Sequence, residues 1–192
     1  MIQGIVLFVC AYLLGSIPFG LIIAKFKKVD LRQRGSGNIG ATNVFRNVGW
    51  QYGIVTLFLD GLKGYISTVF ALNMFENPWI HVLVGLVAII AHTLTFLASF
   101  KGGKGAATAL GVLLALSPDV CLLIFFIGVV MIAITRYVAP VTICCSIAVP
   151  LLLYVRDYPT AYISIKSIVA LFIVIRHQSN IKRLFNGTEN RI

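Results

Sequence analysis

The chain has 192 residues, of which 59% are hydrophobic and 11% charged, whereas an ordinary soluble domain carries about a quarter of its residues as charges. That composition excludes a water-soluble globular protein, and at about 20 apolar residues per bilayer-spanning helix the length has room for about seven spans and no soluble domain of normal size. The net charge of +10, from 16 Lys and Arg against 6 Asp and Glu, admits nucleic acid, anionic lipid or an acidic substrate as partner, so the placement of the cations decides.

In chain order, charge-poor runs predict membrane helices over residues 1–24, 47–75, 77–100, 105–118, 120–135, 137–155 and 158–175. The first lacks a basic segment ahead of it and a small-residue cleavage pattern, so it reads as a retained span and not as a signal peptide. The second admits Asp60 and Lys63, three apart and therefore on one helical face. The fourth and sixth are expected to be short. Asn77-Pro78, Ser117-Pro118, Ala139-Pro140 and Tyr158-Pro159 mark tight turns between spans. Cys10, Cys121, Cys144 and Cys145 lie inside apolar runs without metal-ligand spacing, which predicts buried thiols, no disulfide framework and no metal site. The last run contains Lys166, expected to snorkel to the outer interface, and His81 is expected to be merely interfacial.

Sorting the cations by loop gives the orientation, because short cytoplasmic loops collect Lys and Arg. With the N-terminus outside and the C-terminus cytoplasmic, fourteen cations fall on the inner side, while Arg156 falls outside with Glu76, Asp119 and Asp157. The expectation is an all-α, polytopic integral membrane protein of seven transmembrane helices, with the Lys25, Lys27 and Lys28 cluster facing anionic lipid headgroups and no nucleic-acid partner.

Three clusters fall on that inner face. The first, residues 34–46, sets Gly35, Gly37 and Gly40 among Ser36, Asn38, Thr42, Asn43 and Arg46, a pattern suited to a backbone wrapped round a phosphate. Its glycines also spell the dinucleotide fingerprint, but that motif needs a preceding strand and a βαβ unit, and here a membrane helix follows. The second, Lys101-Gly-Gly-Lys-Gly105, opens a short helix and offers Gly102, Gly103 and Gly105 N–H groups with Lys104 to an anion; it lacks the Ser or Thr and the first glycine of a P-loop. The third follows the last span, where His177 and Asn180 share a helical face and Ile181, Leu184 and Phe185 suit an interfacial tail. Asp60, Lys63 and His92 lie near inner span ends, where an ionisable group is costly unless partnered, which fits either structural pairing or support of a site.

In sequence order these segments resemble the bacterial acyl-phosphate:glycerol-3-phosphate acyltransferases, the PlsY-type family. The resemblance runs through residues 15–20 (GSIPFG), 35–43 (GSGNIGATN) with Arg46, Asp60-Gly-Leu-Lys-Gly64, His92, Phe96, residues 100–105 (FKGGKG), Arg136-Tyr137, Arg176-His177, residues 180–184, Gly187 and Glu189. It departs after Arg136-Tyr137, where a stretch usually rich in serine has only Thr142 and Ser146.

The resemblance implies that residues 1–192 form one integral membrane acyltransferase domain of the bacterial inner membrane. The domain would move a fatty acyl group from acyl phosphate to the 1-hydroxyl of glycerol 3-phosphate, giving lysophosphatidic acid and inorganic phosphate. It places the glycerol phosphate near Gly102, Gly103 and Gly105 and makes Ser36, Arg46, His177 and Asn180 important for activity; Lys104, whose charge suits two phosphates, completes the catalytic set expected at the cytoplasmic face. Gly37, Asn38, Gly40, Thr42 and Asn43 complete the phosphate site, and Asp60, Lys63, His92, Arg136 and Glu189 support it. A monomer without cofactor or metal is expected.

The chemistry agrees with this resemblance. Two phosphates held side by side need a cationic, N–H-rich site, and positions 86, 97 and 182, five after each histidine, are Leu, Leu and Lys, so the His-x4-Asp pattern of soluble-type acyltransferases is absent. His177 is the only candidate base in the motifs, while a donor phosphate oxygen is the favoured proton acceptor. A small anion or phosphate transporter is the competing reading, but transporters gather polar and helix-breaking positions at the midplane, whereas here they gather at one face.

Overall fold

The computed structural model describes residues 2–192, and among the described residues there are helices and no strands. The helices are α1 (Ile2–Gly15), α2 (Phe19–Phe26), α3 (Ala41–Asn47), α4 (Trp50–Met74), α5 (Pro78–Thr93), α6 (Ala106–Leu116), α7 (Pro118–Thr135), α8 (Val138–Val155), α9 (Thr160–Arg176) and α10 (Gln178–Phe185). They fall into two compact units, one ending at Ala115 and the other running Leu116–Ile192. Each turn signal read from the sequence stands at a helix start; at α5, Pro78 occupies the first turn and the Asn77 side chain accepts from the N–H of Trp79 at 3.0 Å, the geometry of an N-cap.

Five stretches are long and apolar enough to cross a bilayer: Ile2–Phe26, Trp50–Met74, Pro78–Ala98, Pro118–Thr135 and Val138–Val155. Thr160–Arg176 with Gln178–Phe185, bent by 55°, makes a sixth if the pair is one span. The expectation of a short sixth helix is corrected, since α8 has 18 residues, as many as α7. The fourth is short as expected: α6 has 11 residues, about 16 Å at 1.5 Å per residue. Large apolar side chains such as Phe58, Phe126 and Leu151 lie 64%, 69% and 64% exposed, an outward surface suited to hydrocarbon and not to water.

In the first unit α1 packs on α4 and α5, and α2 and α3 pack on α4. Leu7, Ala11, Ala71 and Val84 form one apolar centre, and Ala24, Leu31 and Val44 another. Lipid gives no hydrophobic drive for helices to pair, so close backbone approach does that work. A Cβ on Gly111 of α6 would meet the Gly61 carbonyl of α4, and one on Gly64 would meet the Thr108 carbonyl. The small residues thus seat α6 against α4 beside Asp60 and Lys63.

The second unit packs α8 on α7 and α9, with α10 against α8 and α9. At one end Arg156 reaches Asp119 at 3.1 Å and the Tyr158 hydroxyl donates to the same carboxylate. At the other, the N–H of Ile192 donates to the Arg136 carbonyl at 2.9 Å and Arg191 donates to the Tyr137 hydroxyl at 3.0 Å. Two expectations fail and a third residue gains a structural partner. Lys166 does not snorkel but is buried, since it lies on the inward face of α9 with Tyr162, Ile165, Val169 and Ala170. His81 is buried and donates to the Phe75 carbonyl at 2.6 Å, tying the start of α5 to the end of α4. Of the cysteines only Cys121 is buried; Cys10 and Cys144 are exposed on lipid-type surfaces.

Candidate functional site

The connection from α2 to α3 is built round one amide. Asn43 is buried; its Nδ2 donates to the Leu31 and Arg34 carbonyls at 3.2 and 3.1 Å, and its Oδ1 accepts from the Ser36 N–H at 3.2 Å and Asn47 Nδ2 at 2.9 Å. Both donors and both acceptor sites of the amide are occupied. The expectation that Asn43 binds phosphate is therefore corrected: it staples the loop from behind. Gly35 has φ +59 and a Cβ there would lie 2.5 Å from Asn43 Oδ1, so this glycine serves the staple. Asn38 accepts from the Gly40 N–H at 2.8 Å, Ser36 Oγ accepts from the Asn38 N–H at 3.4 Å, and the Gly37 N–H donates to the Arg34 carbonyl at 3.1 Å. The loop is thus closed by its own N–H groups. What it presents to a ligand are the half-buried side chains of Ser36, Asn38, Thr42 and Arg46, the last carried on α3.

The Lys101–Gly105 loop is tethered to the end of α5. The Gly102 N–H donates to the Thr93 carbonyl at 3.0 Å and the Gly103 N–H to the His92 carbonyl at 3.3 Å. A Cβ on Gly102 would meet the His92 carbonyl oxygen, and one on Gly103 would meet the His92 ring. This corrects the expectation that these two N–H groups face an anion: they cap α5, and the glycines are required by helix and ring. Gly105, at φ +87, turns the chain into α6, and Lys104 stands half-buried between.

Behind that loop Asp60, Lys63 and His92, all buried, form one cluster. Lys63 Nζ is 2.9 Å from Asp60 Oδ1, and His92 Nδ1 is 3.5 Å from the same oxygen. Lys63 also donates to the Ile17 carbonyl at 2.8 Å and lies 5.7 Å from the Phe19 ring centroid. The Thr95 hydroxyl donates to the Ser16 carbonyl at 2.5 Å, and a Cβ on Gly20 would meet the Ile39 carbonyl. Residues 15–20, both loops and the ionisable cluster are therefore one neighbourhood of the first unit. The sequence reading missed Ile17, Thr93 and Thr95 as partners; only the density of Thr near His92 hinted at them.

In the second unit His177 stands at the α9–α10 bend. It is buried, and its Nδ1 lies 2.8 Å from the Ile173 carbonyl. A carbonyl only accepts, so Nδ1 donates in this contact. The Asn180 N–H donates to the His177 carbonyl at 2.9 Å. Asn180 Nδ2 donates to Glu189 Oε1 at 2.7 Å and Arg183 Nε to Glu189 Oε2 at 2.9 Å, which makes Glu189 a clasp across the tail. Leu184 and Phe185 are exposed, as an interfacial tail requires. Arg136 ends α7 at φ +64 with an exposed side chain, and supports the C-terminus through its carbonyl.

A sequence model of the family described as glycerol-3-phosphate acyltransferase matches residues 5–187. This chain belongs to the glycerol-3-phosphate acyltransferase family. Relatives of that name include the protein of Aquifex aeolicus, 43% identical over 98% of this chain and 99% of its own, and that of Geotalea daltonii, 45% identical over 99% and 98%. Among solved structures it is similar to PlsY (YgiH), an integral membrane glycerol 3-phosphate acyltransferase, in two forms. The glycerol 3-phosphate form superposes with a TM-score of 0.95 at 43% identity, covering 99% of this chain and 96% of the other. The lysophosphatidic acid form gives 0.92 at 42%, covering 99% and 95%. Family membership makes this multi-pass membrane protein an acyltransferase, and the transporter reading is set aside.

Proposed function

We propose that the chain transfers a fatty acyl group from acyl phosphate to the 1-hydroxyl of glycerol 3-phosphate, giving lysophosphatidic acid and inorganic phosphate. The observation that carries this reading is that relatives of the same fold are described in glycerol 3-phosphate and lysophosphatidic acid forms, the acceptor and the product of one acyl transfer. In the step, the glycerol oxygen bonds to the acyl carbon, the bond from that carbon to the phosphate oxygen breaks, and the hydroxyl proton passes to the departing phosphate. An acyl phosphate already has a good leaving group, so no strong protein base is demanded.

In this reading Arg46 and Lys104 offset the charge of the two phosphates. Ser36, Gly37, Asn38, Gly40 and Thr42 shape one wall, and Gly102, Gly103 and Gly105 shape the loop that carries Lys104 toward the acceptor. His177 and Asn180 contribute to catalysis by hydrogen bonding, and Asn43, Asp60, Lys63, His92, Arg136 and Glu189 support the groups of their own units. The whole chain acts as one domain and a monomer, without cofactor or metal. It spans the bacterial inner membrane seven times, α6 counted as a short span, with the N-terminus outside and the active site at the cytoplasmic face; the fourteen cations of that side support this orientation.

The test is purified protein supplied with radiolabelled glycerol 3-phosphate and either acyl phosphate or acyl-CoA, scored for lysophosphatidic acid. Product is expected from acyl phosphate alone, and equally in chelator. Equal turnover of acyl-CoA, or activity restored to chelated protein by zinc or magnesium, contradicts the reading.

A further inference from the structure

An Asp, a Lys and a His buried together within membrane helices are a costly arrangement. A buried ion pair does little better for stability than apolar residues of the same volume, and ionisable groups inside a bilayer mark function by default. Here the geometry shows what the cluster touches. His92 has one ring nitrogen toward Asp60, 3.5 Å away, and its other edge where a Gly103 Cβ would stand. The carbonyls of His92 and Thr93 accept the N–H groups of Gly103 and Gly102. Asp60 is itself held by Lys63 at 2.9 Å, and Lys63 is anchored on the Ile17 carbonyl at 2.8 Å.

We propose that Asp60 and His92 are positioning residues for the acceptor: Asp60, anchored by Lys63, holds the imidazole edge under Gly103, and this fixes the Lys101–Gly105 loop and the direction of Lys104. The inference rests on the reading that the acceptor phosphate binds at that loop. It assigns the need for glycine at 103 to the imidazole beneath it and not to the ligand above it. Neither Asp60 nor His92 touches substrate in this account; their influence passes through the loop backbone.

The test uses the full-length purified enzyme and separate KM values for glycerol 3-phosphate and acyl phosphate. In Asp60→Asn/Lys63→Met both charges leave together, so no lone charge stays buried. In His92→Asn the amide still reaches Asp60 but vacates the space under Gly103. Each is expected to raise the acceptor KM about tenfold, less than the roughly hundredfold that a 1 Å misplacement costs, with the donor KM within about twofold and kcat changed less than the acceptor KM. Gly103→Ala should also raise the acceptor KM, and adding His92→Asn should recover part of that loss, because the withdrawn ring makes room for the methyl group; contacting residues couple in this way.

An unchanged acceptor KM in the folded variants, an equal rise in both KM values, or no recovery in Gly103→Ala/His92→Asn overturns the proposal. Should Asp60→Asn/Lys63→Met fail to fold, the Gly103 and His92 pair decides alone. Lys104→Ala separates the two levels. If it raises the acceptor KM while the Asp60 and His92 variants do not, the positioning role is wrong and the site reading stands; if it leaves the acceptor KM unchanged, the site reading falls and the proposal with it.

Discussion

Glu189 gives a direct measure of how far the tail organises the proposed catalytic residues His177 and Asn180. Its carboxylate is 2% exposed and takes one bond on each oxygen, from Asn180 at 2.7 Å and from Arg183 at 2.9 Å. Glu189→Gln keeps the volume but turns one oxygen into an N–H donor, which then faces a donor on whichever side it points. A hydrogen bond to a charged group is worth about 1.5–3 kcal/mol, and the Arg183 half, with its side chain 28% exposed, belongs at the bottom of that range or below it because solvent screens it. A loss of about 2 kcal/mol follows from these terms. If it falls on the orientation of Asn180, at about 1.4 kcal/mol per factor of ten the turnover at saturating substrates drops some 10- to 100-fold. The melting midpoint should fall by about 4–8 °C, at 2–4 °C per kcal/mol for a chain of this size. Initial rates with acyl phosphate and glycerol 3-phosphate, together with thermal melts of the same preparations, read both quantities. A Glu189→Gln enzyme that melts lower yet turns over within twofold of the parent would show that the clasp holds the tail but not Asn180.

Three further outcomes are expected. Cysteines placed at the exposed positions Gln33, Lys101 and Thr188, in a background without the four native ones, should resist an impermeant reagent in intact cells and react in inverted vesicles; labelling in intact cells refutes the orientation. Gly111→Ala pushes a methyl group onto the Gly61 carbonyl and should destabilise by the about 1–3 kcal/mol typical of overpacking, read as a lower melting midpoint with both KM values preserved; an unchanged midpoint means that α6 is not seated on α4. His177→Ala should slow transfer while its residual activity keeps the parent's pH dependence, and His177→Asn or His177→Gln should recover part of the rate. Loss of a titration limb in the alanine variant, where a general base would account for about 10²–10⁴ in rate, with no rescue by either amide, would identify His177 as the base.

Much of this molecule is legible before any coordinates. Apolar runs and proline-marked turns locate the helix starts, because chain length in a bilayer leaves few other solutions, and glycines among cations locate both loops. Side-chain partners are not legible in the same way. Asn43 looks like a ligand for phosphate in a list of polar loop residues, and only the fold shows all four of its hydrogen-bonding positions occupied within the loop. The i, i+3 spacing of Asp60 and Lys63 announces their pairing, yet nothing in the spacing joins them to His92, 29 positions beyond Lys63, or to the Ile17 carbonyl. Lys166 misleads for a related reason: distance along the chain to the predicted interface says nothing of which helix face the side chain occupies, and that face is turned inward.

The tether between the glycine loop and the end of α5 has a consequence for where a polar pocket can sit. A helix that stops leaves its final carbonyls without partners, and at membrane depth no water supplies them. Here the N–H groups of Gly102 and Gly103 fill that need for Thr93 and His92, so α5 ends without solvent and the loop closes without solvent. An enzyme that joins a water-soluble acceptor to a chain dissolved in hydrocarbon must keep ordered backbone at the boundary of the two media, and a loop that satisfies its own helix is stable on either side of it.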